Sequence, residues 1–517
     1  MNVLFKNAHS FSLLLFSFKL FKPIKPIKLF NHFKPSVFMK KLLIFLPVLL
    51  FLACNQSTSY EGVSTSEVSV TGTIENPKGD VATISKGDDK FEASLEDGKF
   101  ALNFEVEKPG YYRFIHGGEN ATLFLKPADN FSLSLNTDQF DETLKFEGKG
   151  SAENNYLMSK FLLDEKLMDD FVAIFKLDEK AFTAKLDDNK KQMTANLKDF
   201  EANHPGMNPD FLKWEQAALL YSNFNNKLMY PEYHQYYTKD ENFAVSANYY
   251  NFLKGANLDD GSLLEIPDFN NFVPEYFSFK AKERYKGDAS LKEDENGLVK
   301  AHLQAIAAAS KSEKVKNYAY WLLMKDQLFS KGANIPQEVL TTFHENCTNA
   351  KFKTEIGEQY EKWQALAMGE IAPGFSYPNI DGDEIGLRDF KGKYVYLDVW
   401  ATWCGPCMRE LPHLEKLEDK YMDNNNIVFA SISIDENKKA WKKMVTEKKM
   451  KGVQLFADAA WNSGICKDYL IEGIPRFILI EPEGKIMNAK APRPSSDKLK
   501  KILSDIDEKT QQLTSRD

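Results

Sequence analysis

Apolar and polar residues alternate from Val68 to about Gly148: Val68, Val70 and Ile74, then Phe100, Leu102, Phe104 and Val106, then Tyr112 and Phe114, Leu123 and Leu125, and Phe131, Leu133 and Leu135. A period of two sends one face of each strand into a core and the other into water. Turn-forming clusters at Asn76-Pro77-Lys78-Gly79, Glu96-Asp97-Gly98 and Lys108-Pro109-Gly110 separate the runs. The pattern predicts a small antiparallel β-sandwich over 68–150, with no catalytic cluster in it.

Across 151–367 Gly and Pro thin out and the apolar spacing lengthens toward 3.6, as in Phe182-Thr-Ala-Lys-Leu186 and Leu303-Gln-Ala-Ile306. This predicts an all-helical domain. Its dense aromatics, among them Tyr221, Phe224, Tyr230, Tyr233 and Tyr249, fit core packing better than a carbohydrate or peptide groove. From 368 to 517 strand and helix patterns alternate. A hairpin turns at Asp381-Gly382-Asp383, and strands follow at 394–399, 427–434, 474–480 and 485–489. Helices run from 408 to about 422, around 438–449 and over 496–507. That order predicts an α/β domain.

The N-terminus reads differently. Met39-Lys40-Lys41, an apolar run from Leu42 to Leu52, and Ala53 before Cys54 resemble a bacterial lipoprotein signal over 39–53. Processing would leave Cys54 as an acylated first residue, followed by a polar Ser/Thr-rich tether over 54–67. The alternative is an ordinary signal peptide or membrane anchor. Residues 1–38, rich in Phe, Lys and Ile, are expected to precede the true start at Met39. The expected site of action is the cell envelope of a Gram-negative bacterium, on a membrane-anchored lipoprotein facing the periplasm.

A length of 517 residues, 43% hydrophobic and 27% charged, fits about three soluble globular domains. Residues 1–53 hold eight lysines and no acid, so the remainder carries 58 basic against 74 acidic groups, a net charge of −16. Such a chain does not suit nucleic acid. Apart from Cys54 the cysteines are Cys347, Cys404, Cys407 and Cys466. Four are too few for a disulfide scaffold of this size.

Two of them form Trp403-Cys404-Gly405-Pro406-Cys407, between the apolar run 394–401 and a helical segment. A thiol at a helix N-terminus meets unpaired N–H groups and the positive end of the helix dipole, which favours thiolate. A second cysteine one turn on can attack a mixed disulfide on the first and close an internal one. The pair can carry two electrons. A zinc reading of the two thiols lacks further ligands, and no metal site is expected.

With Asp398-Val-Trp-Ala-Thr402 before the cysteines and Gly473-Ile-Pro475-Arg-Phe477 after them, the last 150 or so residues resemble thioredoxin-fold reductases of the TlpA/ResA type. The whole chain is similar to lipoproteins of Bacteroidetes-type bacteria that place a small β domain and a helical region before this module. The resemblance implies that Cys404 attacks and Cys407 resolves, and that the redox-active disulfide Cys404–Cys407 serves without further cofactor. It implies that Asp398 or Glu410 accepts the Cys407 proton. An aspartate in a strand is costly to bury unless desolvation raises its pKa, whereas a helix-surface glutamate is often simply solvated. The resemblance also implies that Pro475 is a cis-proline facing the substrate, with Ile474 offering backbone groups to an extended polypeptide. Trp403, Gly405 and Pro406 complete the substrate contacts. Arg476 stands where many relatives carry Thr. Pro412 is read as a kink in the active-site helix, Trp400 as packing, His413 as exposed, and Cys347 and Cys466 as packing thiols.

Gly405-Pro406 is the dipeptide of thioredoxin, whose potential of about −270 mV lies ~150 mV below that of the oxidant DsbA, worth roughly 7 kcal/mol. The expectation is an exported reductant of protein disulfides, with apocytochrome c among the candidate targets, recharged by a membrane thiol reductant. Two other classes compete: a redoxin-type thiol peroxidase, and a binding lipoprotein in which the redox module is accessory.

Overall fold

The structure is a computed structural model that describes residues 66–514. The signal segment, Cys54 and nearly all of the tether lie outside the described residues.

Eight strands form the first domain: β1 (Glu67–Glu75), β2 (Val81–Lys86), β3 (Asp89–Ser94), β4 (Lys99–Glu105), β5 (Gly110–His116), β6 (Glu119–Leu125), β7 (Asn130–Asn136) and β8 (Lys145–Lys149). They make two four-stranded sheets, ordered β4-β1-β7-β8 and β3-β2-β5-β6. The alternating apolar residues meet between the sheets, where Val70, Phe100, Leu102, Phe114, Leu123, Phe131 and Leu133 belong to one core. At Gly72, a Cβ would stand 2.0 Å from a ring carbon of Phe100, its cross-strand partner, so only glycine admits that ring.

Two details depart from the sequence reading. β1 and β7 pair in parallel, so the sandwich is mixed rather than antiparallel. Alternation fixes which face is buried, not the direction of a strand arriving from the other sheet. β3 and β8 escaped notice because their outward faces are charged and few of their residues are buried, and β2 because only Ala82 and Ile84 of its six residues are buried.

A short helix, α1 (Phe140–Thr143), lies between β7 and β8 of the sandwich, and the helical region comprises α2 (Ser151–Leu167), α3 (Phe171–Lys176), α4 (Glu179–Asn203), α5 (Pro209–Thr238), α6 (Pro267–Gly287), α7 (Ala289–Glu293), α8 (Gly297–Ala309), α9 (Glu313–Lys331), α10 (Gln337–Asn346) and α11 (Ala350–Gln364). Asp178, Asn208 and Asn349 start α4, α5 and α11 by accepting an amide three residues on. The aromatics pack: Tyr221, Phe224, Tyr230 and Tyr249 are buried, and Phe182 stacks on Tyr230 at 4.0 Å.

Rather than one helical domain over 151–367, the helices fall into two compact units. The first runs to Tyr249 and takes in 265–272; the second holds 250–264 and 273 onward, including the redox domain. Contacts explain the division. In the first unit the Asn154 side chain of α2 donates to the Phe124 carbonyl and accepts the Phe124 N–H of β6 at 3.0 and 2.8 Å. In the second, α9 and α11 pack on the redox domain.

That last domain contains β9 (Ser376–Pro378), β10 (Glu384–Gly386), β11 (Tyr394–Trp400), α12 (Gly405–Lys420), β12 (Ile427–Ser433), α13 (Lys438–Lys448), β13 (Val453–Phe456), α14 (Gly464–Asp468), β14 (Arg476–Ile480), β15 (Ile486–Asn488) and α15 (Asp497–Thr514). Its five-stranded sheet runs β13-β12-β11-β14-β15, with β11 to β13 parallel and β14 and β15 antiparallel. β11 is central and buried along nearly all its length, as expected of a strand covered on both faces. β13 and α14, only four and five residues long, carry too little pattern to be read from sequence.

Candidate active site

β11 delivers the dithiol. Its C-terminal end leads through Ala401-Thr402-Trp403 into α12, where Cys404 is the N-cap and its sulfur accepts the Cys407 N–H at 3.1 Å. The two cysteines are joined as a disulfide, with Cα atoms 5.2 Å apart. Expected to be the exposed member, Cys404 is only 4% accessible, beside 2% for Cys407. Its sulfur is occupied by the bond to Cys407 and folded onto the helix terminus, while Trp403 before it is 58% exposed. Gly405 is exposed and Pro406 half-buried.

The loop before the helix is held by a residue that sequence reasoning missed. Asp435, just after β12, is buried, and its carboxylate accepts the Thr402 N–H at 2.9 Å, the Thr402 hydroxyl at 2.6 Å and the Ser433 hydroxyl at 2.7 Å. An acid ending the apolar run 427–434 was the available signal.

Three carboxyl groups gather under α12. Asp398 on β11 is buried, its Oδ1 without a hydrogen-bond partner among the described residues. Burial first, then the charges of Glu418 and Glu410, push its pKa up to about 8. Glu410 is also buried, not solvated: it accepts the Ser495 N–H and hydroxyl, each at 3.0 Å, and lies 3.8 Å from Arg493. Glu418, two turns further along α12, was not foreseen. It is buried among Leu411, Leu414, Met450 and Gln454, and burial, then Glu415, raises its pKa to about 7. Its spacing of eight from Glu410, on the face of Leu411 and Leu414, was the legible sign.

On the other side of β11, Arg476 of β14 pairs in register with Val399. Residues 474–475 therefore reach the sheet end from which the cysteine loop leaves. The Ile474–Pro475 bond is cis, both residues are half-buried, and no described residue hydrogen-bonds to the backbone of Ile474. Trp461, from the segment before α14, meets Trp403 with ring centroids 6.2 Å apart. Trp400 is fully buried, Pro412 lies inside α12, and His413 is exposed. Cys347 and Cys466 are buried free thiols, and burial pushes both pKa values up.

A profile of the family described as Redoxin matches residues 367–505. Thiol-disulfide oxidoreductase ResA of Bacillus cereus is 32% identical over 148 residues, which are 28% of this chain and 83% of that protein. The chain belongs to the ResA-like thiol-disulfide oxidoreductases. Thioredoxin-like protein YneN of Bacillus subtilis is 32% identical over 136 residues, covering 25% of this chain and 74% of the relative. Among solved structures, the thioredoxin domain of a thiol-disulfide oxidoreductase from Bacteroides vulgatus is 33% identical, covers 27% of this chain and 98% of that one, and has a TM-score of 0.25. The ResA-like domain is thus an enzyme of thiol-disulfide exchange on protein substrates, and the matched segments lie at the C-terminal end. No helix among the described residues is long and apolar enough to cross a membrane.

Proposed function

We propose that the protein is an exported, membrane-tethered reductase of protein disulfides, anchored through acylated Cys54 and facing the periplasm. The observation that carries the chemistry is the Cys404–Cys407 pair closed at the start of α12 beside a buried carboxyl, Asp398.

In the reduced enzyme the Cys404 thiolate, favoured by the helix terminus, attacks one sulfur of a substrate disulfide. A mixed disulfide forms and the first substrate thiolate leaves. Cys407 loses its proton to Asp398, or to Glu410, and attacks the Cys404 sulfur. The second substrate thiolate leaves, and two electrons have passed to the substrate. The bonded Cys404–Cys407 pair is the form this cycle would leave. Trp403, Gly405 and Pro406 border the attacked sulfur, and the unpaired backbone of Ile474 beside Pro475 suits an extended polypeptide joining as a strand. The Gly405-Pro406 dipeptide favours donating electrons, and a membrane thiol reductant would restore the dithiol.

Reduction of insulin disulfides by the full mature chain, with dithiothreitol as electron source, tests this. Cys404→Ser should abolish turnover; turnover that survives the substitution overturns the reading.

A further inference from the structure

Phe329 and Trp363, near the C-terminal ends of α9 and α11, form an aromatic seat for two basic side chains of the redox domain. The Lys490 Nζ lies 4.8 Å from the Phe329 ring centroid and 4.3 Å from that of Trp363. The Arg476 guanidinium carbon lies 6.0 and 5.8 Å from the same two rings. Lys490 also donates to the Phe329 carbonyl. Arg476 is buried and Lys490 half-buried there; burial holds Arg476 down to about 10 and Lys490 down to about 6, so near pH 7 Arg476 is the cation and Lys490 largely the neutral amine. Gly332, which ends α9 at φ +59°, completes the seat, because a Cβ there would stand 2.7 Å from the Trp363 ring. All of these residues belong to one compact unit.

The tip of the Phe329 ring also reaches Gly473. A Cβ on Gly473 would stand 3.5 Å from Phe329 Cζ, so the ring borders the residue immediately before Ile474. Gly473 has no side chain to cover it, and Phe329 remains half-buried. A strand added at Ile474 places same-side residues about 7 Å apart. One of its side chains can therefore lie over Gly473 against the ring.

We propose that Phe329 is a specificity-determining residue of the reductase. It forms one wall of the polypeptide groove at Ile474–Pro475, so that the substrate site is shared between the redox domain and the helical region. The groove selects polypeptide disulfides with an apolar side chain close to the attacked cysteine. Trp363, Arg476 and Lys490 are positioning residues that hold the ring. The inference rests on the reading that Ile474 and Pro475 face the substrate.

The test compares insulin with hydroxyethyl disulfide, which is too small to reach Phe329, using the full mature chain. Phe329→Ala should raise the KM for insulin about tenfold, the effect of losing one well-packed contact, with kcat and the hydroxyethyl disulfide rate unchanged. Phe329→Leu should recover most of the loss. Gly473→Ala, which covers the ring without disturbing the seat, should raise the same KM, and it decides the matter if Phe329→Ala does not fold. An unchanged insulin KM in the folded variants overturns the proposal, as does a parallel loss on hydroxyethyl disulfide. If the wild-type chain does not reduce insulin at all, the reductase reading fails first and this inference falls with it.

Discussion

Asp398 faces Ser431 directly across the parallel β11–β12 ladder, and among the described residues no cation forms an ion pair with its carboxylate. The charges it feels are those of Glu418 and Glu410, both acidic. The carboxyl is therefore mostly protonated near pH 7; the ionised fraction, which grows as pH approaches 8, is a stronger base than an ordinary carboxylate and is the form that can take a thiol proton.

That setting costs stability in a defined pH window. Asp398 titrates near 8 in the folded chain against an ordinary 3.8, so between these values the folded state holds a proton that the unfolded state releases. Stability should fall as pH rises through the window, by about 1.4 kcal/mol per unit, and level off above it. Asp398→Asn is expected to remove the Asp398 share of the slope, leaving that of Glu418 below about 7, and to be the more stable protein at alkaline pH, while reducing disulfides about 10²-fold more slowly. Urea titrations across the window check the first outcome and insulin reduction the second.

Glu418→Gln removes the larger of the two acidic influences on Asp398. The Asp398 pKa should move down toward the ordinary carboxylate value, and the alkaline end of the stability slope with it. Carbon-13 NMR of the Asp398 carboxyl reads the shift; an unmoved titration would mean that Glu418 does not contribute to it.

Cys407→Ala should leave mixed disulfides stranded on Cys404, because the resolving sulfur is gone. Non-reducing gels of cells carrying the variant are expected to show covalent adducts that dithiothreitol releases, and mass spectrometry would name the substrates.

Asp435→Ala withdraws the acceptor that ties Thr402 and Ser433 together. Hydrogen bonds to a charged group contribute about 1.5–3 kcal/mol each, and their buried donors would be left unpaired. A loss of roughly 3 kcal/mol or more is expected in urea titrations. The cysteine loop should lose hydrogen-exchange protection before the rest of the sheet does.

Cys54→Ser should free the protein from the membrane into the soluble exported fraction. Unchanged sedimentation with membranes after carbonate washing would rule out the acyl anchor.

Features carried by neighbouring residues were legible in the sequence. The dithiol, the strand before it and the Ile474-Pro475 turn each rest on a few consecutive positions, and the alternation from Val68 to Leu135 marked the buried faces of the sandwich. What escaped depends on distant parts of the chain. The Phe329–Lys490 contact closes a separation of 161 residues, and Asp435 reaches back 33 to Thr402. Glu418 is covered by the turn at Gly452, where a Cβ would stand 2.6 Å from its Oε1, and that turn lies 34 residues further along the chain. The division of the helices likewise followed from what each packs against, which periodicity does not record.

The aromatic seat for Lys490 and Arg476 also bears on how such chains are built. The segment shared with single-module relatives begins at 367, after both Phe329 and Trp363. A fragment cut there would expose two basic side chains that the rings of the intact chain cover, and the strand after Pro475 would lose its backing. The redox module here is no freely exchangeable cassette. Its exchange between proteins would have to carry α9 and α11 along, so those helices and the catalytic segment are bound to be inherited together.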